Sequence, residues 1–330
     1  MSRFWQPVLA LLGGAVLVVI ITSIGPATIA AAVRQAGWII LLILALQGAC
    51  YALNAWAWWL VMPKGPDRPA WREVFRISVI GFAFNFVTPI VNAGGEPYRI
   101  AALTPRLGVA RATGATLLYV LVHAVSSIAF WLTAILLSLL VLPWSPAPAW
   151  VLGCVAAVLV AALAAVLSGH RDGIAARVTR LAAWLRLRRL AGWLQARQDG
   201  IVRVDAEIVQ AWHRQPGSLI AAITIDIVSR ALNAMELLLV AVALGVAMEP
   251  ATAIAMWGYL ALTVNLFFFL PWELGSREGG IFGLSHAAGL PAEFAGLAMV
   301  VGRIREVAWA GIGMAWLAVT GEGRREKGEG

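Results

Sequence analysis

The apolar residues of this chain fall in long, nearly unbroken runs. They extend from about Pro7 to Ile24, Trp38 to Val61, Val74 to Val91, Ala112 to Leu142, Trp150 to Leu167, Ser218 to Val246, Ala251 to Leu270 and Phe294 to Val319. Several are long enough to cross ~30 Å of hydrocarbon as helices. The alternating ten-residue strands of an outer-membrane barrel are missing, so the pattern predicts an all-α polytopic membrane protein forming a single integral domain over 1–330. The first run follows a lone Arg3 without a small-residue cleavage site and is read as a retained helix.

Two runs end on breaks rich in glycine, proline and charge. Val74–Val91 stops at the segment Asn92 to Arg99, and Ala251–Leu270 stops at Pro271 to Gly280. Lys and Arg in short loops mark the cytoplasmic side. Region 169–217 holds nine arginines, and Lys64, Arg68, Arg72, Arg324, Arg325 and Lys327 are basic too, whereas the turns Pro143–Pro148 and Ala247–Pro250 carry neither Lys nor Arg. If every apolar run crossed, these assignments would conflict. Six full spans plus two re-entrant hairpins, with both termini cytoplasmic, remove the conflict. The regions 25–148 and 218–320 then read as an inverted-topology repeat. Pro89 and Pro271 lie 182 residues apart, as do Glu96 and Glu278, and Asn54 and Glu236.

Composition sharpens this picture. Hydrophobic residues make up 61% and charged residues 13%, and mean hydropathy is +0.83, which excludes a soluble domain pair of this length. Cys50 and Cys154 lie in or beside apolar runs, so they offer no disulfide framework and are read as packing residues. The nine arginines and four acids of 169–217 account for +5 of the net +8, and Ile174, Val178, Leu181 and Leu185 fall between arginines at helical spacing. That is the pattern of an amphipathic helix on anionic lipid head groups, with a soluble helical hairpin as the plainer alternative and nucleic acid not expected. Trp5, Trp38, Trp150, Trp257 and Trp272, near span ends, fit an aromatic belt.

Candidate chemistry concentrates at the breaks. Irregular backbone at membrane depth is tolerated only inside protein or beside a watery cavity. Gly94 and Gly95 allow a reversal, Pro97 suits the first position of a returning half-helix, Glu96 would cap it, and Arg99 follows one turn on. Such a half-helix start can hold an anionic group such as phosphate. Arg277 and Glu278, with Gly279 and Gly280, offer the second break the same option; Pro89, Pro271 and Gly275 shape the hairpins. Asp226, Arg230, Asn233 and Glu236 form one stripe on the run Ser218–Val246, and Arg303 and Glu306 lie near the middle of Phe294–Val319. Charges there are costly, so they either pair structurally or line a path for a polar ligand. No histidine shows metal spacing, and no nucleotide-binding glycine-lysine motif occurs. No metal, cofactor or covalent chemistry is therefore expected.

The segment Asn85 to Pro89 with Gly94 to Arg99, together with Leu270-Pro271, Gly275 to Glu278 and Arg303, resembles the flippase-like family of the lysylphosphatidylglycerol synthase transmembrane region. The resemblance covers nearly the whole chain. Trp272-Glu273 departs from the small or proline residues usual in the second motif. The resemblance implies a bacterial or archaeal plasma-membrane protein associated with moving lipids, without the aminoacyl transferase domain that follows in bifunctional relatives. Membrane lipids are the expected partners, with a homodimer left open. A membrane-embedded transferase acting on a lipid-linked donor is the alternative.

The topology makes a direct prediction. Single cysteines in Pro143–Pro148 and Ala247–Pro250 should react with an impermeant thiol reagent from outside, whereas a cysteine at Arg325 should react only from the cytoplasmic side; outside labelling at 325 would refute the arrangement.

Overall fold

The computed structural model describes residues 26–87, 94–141, 146–168, 215–267 and 276–326. Among them every regular element is a helix: α1 Pro26–Ala36, α2 Ile39–Val61, α3 Trp71–Val87, α4 Gly95–Val141, α5 Pro146–Ser168, α6 Pro216–Ala243, α7 Pro250–Leu266, α8 Ser276–Ala287 and α9 Ala292–Glu326. The run 7–24, the hairpin residues Pro89, Pro271 and Gly275, and the basic region up to residue 214 lie outside the described residues. Helix α1 was not anticipated, because the segment before Trp38 is too short and polar to register as a span.

Helix α2 is 23 residues of nearly unbroken apolar sequence and ends where Pro63 follows, since proline cannot continue the hydrogen-bond ladder. A clasp fixes the turn beyond it. The Trp59 indole donates to the Pro69 carbonyl at 3.0 Å, while Arg68 lies 3.5 Å over the Trp59 ring and donates to the Trp59 carbonyl. Helix α4 bends at Gly108, whose φ of 74° is disfavoured for residues with a Cβ, so a half-length segment, 95–107, precedes the long segment 109–141.

Helix α3 and the segment 95–107 run antiparallel. At the tip, the Gly95 amide donates to Asn85 Oδ1 at 2.6 Å; at the base, Arg106 pairs with Glu73 at 3.1 Å. The chain thus returns to where the hairpin began. Leu103 and Leu107 at that base pack with Trp58, Met62, Val74 and Ala112. Helices α7 and α8 also pack on one another, and Ala253, Met256, Ile281, Leu284 and Phe294 share a core with Ile39 and Ile43.

Helices α2 and α6 lie against each other and exchange hydrogen bonds midway: Ser229 Oγ donates to the Cys50 carbonyl at 3.2 Å, and Cys50 Sγ contacts the Ser229 carbonyl at 3.5 Å. Cys50 is buried as expected, but Cys154 is exposed on α5 and is not a packing residue of this bundle. Helix α3 packs on α9, and α7 packs on α4. Both crossings are made close by glycine: a Cβ on Gly313 would meet the Val79 carbonyl at 2.8 Å, and one on Gly258 would overlap the Ala134 methyl. Leu41, Leu136, Leu140, Trp150 and Ile220 are exposed, an outer surface suited to hydrocarbon rather than water.

The structure revises the half-helix starts. Helix α4 begins at Gly95, so Glu96 and Pro97 lie within its first turn and Asn85, not Glu96, caps the Gly95 amide. Gly95 is required for close approach rather than for reversal, because a Cβ there would stand 2.5 Å from the Gly81 carbonyl oxygen. In the second break, α8 already includes Arg277 to Gly280, which are helical rather than turn residues.

Substituting Gly95→Ala or Gly313→Ala should each destabilise the protein by about 1–3 kcal/mol through overpacking. Gly283→Ala, in open space, should leave the detergent melting temperature unchanged or raised. A Gly313→Ala melting curve matching the parent would refute the close crossing.

Candidate functional site

A cavity of about 330 Å³ opens among α2, α3 and α4, lined by Tyr51, Asn54, Ser78, Phe82, Asn85, Glu96, Arg99, Tyr119, Val120 and His123. The Arg99 side chain crosses α3 at Gly81, where a Cβ would stand 2.8 Å from Arg99 Nε. Its guanidinium lies 5.6 Å from the Trp58 ring centroid and 5.9 Å from that of Tyr119, and donates to Glu96 Oε1 at 3.2 Å. Arg99 Nε and Asn54 Oδ1 are buried without a hydrogen-bond partner. Both residues line the cavity, and a buried donor or acceptor left unmet costs free energy that a ligand or water reaching it would relieve.

His123 joins this cavity to α6. Its Nδ1 lies 3.0 Å from Asp226 Oδ1, and its Nε2 lies 3.0 Å from an Arg230 terminal nitrogen. Arg230 Nε also donates to Asp226 Oδ2 at 3.0 Å, and Arg230 reaches the His123 carbonyl at 3.2 Å. A carboxylate only accepts and a guanidinium only donates, so the arrangement matches Nδ1–H donating and Nε2 accepting. Asp226 is fully buried, and its charge is met by both neighbours.

A second cluster holds three carboxylates and three guanidiniums. Arg305 pairs with Glu236 and lies 3.6 Å from Glu306; Arg277 also pairs with Glu306; Arg303 reaches Glu306 at 3.3 Å and Glu278 at 3.0 Å. Gly302 makes room for it, since a Cβ there would stand 3.3 Å from an Arg277 nitrogen. Glu236, Arg303 and Arg305 are buried. The formal charges cancel, as burial in an apolar bundle requires.

The expected sites are therefore regrouped. Glu96 and Arg99 line the cavity; Arg277, Glu278, Arg303 and Glu306 come together in the second cluster. The α6 stripe does not act as one unit: Asp226 and Arg230 turn to His123, Glu236 turns to Arg305, and Asn233 donates back to the Ser229 carbonyl at 3.2 Å. Sequence reasoning left His123 and Arg305 out of the candidate site. A signal for both existed, because His123 and Arg305 are also 182 residues apart. Tyr51 carries the same signal with Asn233, whereas Ser78 and Tyr119 carry none.

The family model for the lysylphosphatidylglycerol synthase TM region matches residues 8–312. The chain belongs to that family. No curated protein and no solved structure matches it. Membership, the all-helical fold and the apolar outer surface identify a membrane protein of a family that acts on lipids. Among the described residues, Ile39–Val61 and Gly95–Val141 are long and apolar enough to cross a membrane. In this family member the polar side chains gather in an open cavity and a compact ion-pair network, and the network is testable by its energetics. Arg305→Met should strand the buried Glu236 charge and cost about 3–5 kcal/mol, whereas Glu236→Gln with Arg305→Gln should recover more than half of that loss. Detergent unfolding of both variants and of the parent measures this. Equal losses would mean that Glu236 is hydrated rather than paired.

Proposed function

We propose that this protein is a lipid flippase that moves a polar-headed, phosphate-bearing lipid between leaflets of a bacterial or archaeal plasma membrane, its head group passing through the cavity while its tails remain in the bilayer. The observation that carries this reading is the cavity itself: a half-buried, incompletely hydrogen-bonded Arg99 beside Glu96 and Asn54, inside a bundle whose outer surface is apolar. Arginine's planar fork can grip a phosphate with two hydrogen bonds. In this reading the two helix pairs that fold back on themselves, α3 with 95–107 and α7 with α8, act as re-entrant hairpins.

The transferase reading has one observation in its favour: a histidine bonded to a buried carboxylate, on a cavity wall. A general base needs one ring nitrogen available to the reacting group. Here His123 Nε2 faces Arg230 and Nδ1 faces Asp226, which favours a brace over a base. We therefore assign no covalent chemistry to the chain.

Leaflet exchange of a fluorescent anionic phospholipid in proteoliposomes tests the reading. Arg99→Lys keeps the charge but loses the fork and should slow exchange about tenfold, with a melting temperature near the parent's. Glu96→Gln should alter exchange while preserving expression. Exchange per folded molecule unchanged in both would refute the assignment, and new products from a lipid-linked donor, lost in His123→Ala, would establish the transferase.

A further inference from the structure

We propose that the cavity takes a second substrate, one proton bound at His123 Nε2 together with the head group, so that lipid and proton cross as a pair without net charge. The inference rests on the transport reading of the cavity and adds a co-substrate to it. Its basis is a charge balance. Among the described residues, the charged side chains in and behind the cavity form two complete pairs, Glu96 with Arg99 and Asp226 with Arg230. The other helices packed on α4 leave this balance unchanged. Helices α2, α5 and α7 contain no Lys, Arg, Asp or Glu, and α3 presents Ser78, Phe82 and Asn85 to the cavity. Tyr51 and Tyr119 bear phenols, a group that ordinarily ionises only near pH ~10. A phosphodiester therefore brings a negative charge with no counter-charge into an electroneutral site inside an apolar bundle, where an unpaired charge is costly.

Imidazole is the side chain that changes charge nearest neutral pH, and His123 is the histidine that lines this cavity. Without ligand, Nδ1–H donates to the buried Asp226 and Nε2 accepts from Arg230, each at 3.0 Å, while the side chain is half exposed. A proton from water that binds Nε2 turns this acceptor into a donor and sets an imidazolium against a guanidinium, so that one hydrogen bond breaks. The other contacts can stay. Arg230 Nε keeps Asp226 Oδ2 at 3.0 Å, its terminal nitrogen keeps the His123 carbonyl at 3.2 Å, and Nδ1–H keeps Asp226. In the empty cavity the added positive charge is unbalanced and the proton leaves; beside a phosphodiester the two charges cancel. Proton and head group thus favour each other's binding by the same factor, as linkage requires. The Tyr119 ring lies 5.9 Å from the imidazole and 5.9 Å from the Arg99 guanidinium, which places the proton site on the same wall as the group that grips phosphate. Carried as a neutral pair, the lipid follows a pH difference across the membrane and gathers in the leaflet on the alkaline side.

Calorimetry on the detergent-purified chain reads the proton directly. Dihexanoylphosphatidylglycerol, a soluble phosphodiester that does not itself titrate near neutral pH, is added at pH 7.5 in two buffers of different ionisation enthalpy, and the difference in heat gives the protons taken up per ligand bound. Uptake approaching about one proton is expected, with Kd rising by up to about tenfold between pH 7 and 8. His123→Asn should bind more weakly, with no uptake and a flat pH profile. If that variant does not fold, Arg230→Gln carries the test: the wall then lacks one positive charge, His123 holds its proton before the ligand arrives, and uptake should vanish although the imidazole remains. In proteoliposomes, a fluorescent phosphatidylglycerol should gather on the alkaline side of an imposed pH difference by about tenfold per pH unit relative to protein-free vesicles. Binding by the parent without proton uptake, uptake that persists in either variant, or an even lipid distribution under the pH difference would overturn the inference and leave the transport reading standing. Uptake kept in His123→Asn but lost in Glu96→Gln would assign the proton to Glu96 instead. A parent that binds no lipid at any pH from 6 to 8 would sink the transport reading itself.

Discussion

Taking a carboxylate or guanidinium from water into an apolar interior costs several kcal/mol even after relaxation, and the bundle is organised by where that cost is met. Asp226 is met by Arg230 and His123, and Glu236 by Arg305, each across helix boundaries or along one helical face. These contacts tie α6 to both α4 and α9. Arg99 is the contrasting case: its terminal nitrogen has Glu96, its flanks have aromatic rings, and its Nε is buried against Gly81 without a hydrogen-bond partner. Satisfied charge builds the frame, and incompletely satisfied charge marks where something polar can enter.

Close backbone approach is the second requirement. The polar residues could not converge if the helices stood a full side chain apart. Gly81 lets Arg99 lie across α3, Gly95 sets the hairpin tip against Gly81 and Asn85, and Gly302 leaves room beside Arg277 and Glu236. At these positions a methyl group would displace backbone or a salt-bridging side chain. The Gly108 bend does something different, using a positive φ to separate the half-length hairpin arm from the long segment that follows.

For function, the balance between the two readings turns on how His123 is held. An imidazole with both nitrogens engaged holds its neighbours in place and leaves neither nitrogen for a reacting group. A cavity of about 330 Å³ accommodates a head group but not acyl chains, so the tails of a lipid ligand would stay with the exposed apolar surface outside.

Fold class, the number and order of most helices, and the family were legible in the sequence, because apolar run length and Pro/Gly punctuation are local properties that the bilayer and the backbone interpret directly. Glu96, Arg99, Glu278 and Arg303 stood out for the same reason: a charge beside an apolar run is conspicuous. Helix starts at Gly95 and Ser276 were misplaced because the residue that caps Gly95 is Asn85, ten positions away, which local capping rules do not see. The α6 stripe was legible as a stripe, yet its division between two clusters was not. That division depends on which helix faces each turn of α6, and residues 103 and 69 positions distant supply the partners. His123 shows the same limit: sequence gives its chemistry and depth, and only the tertiary packing of α4 against α6 decides that it braces a cavity wall.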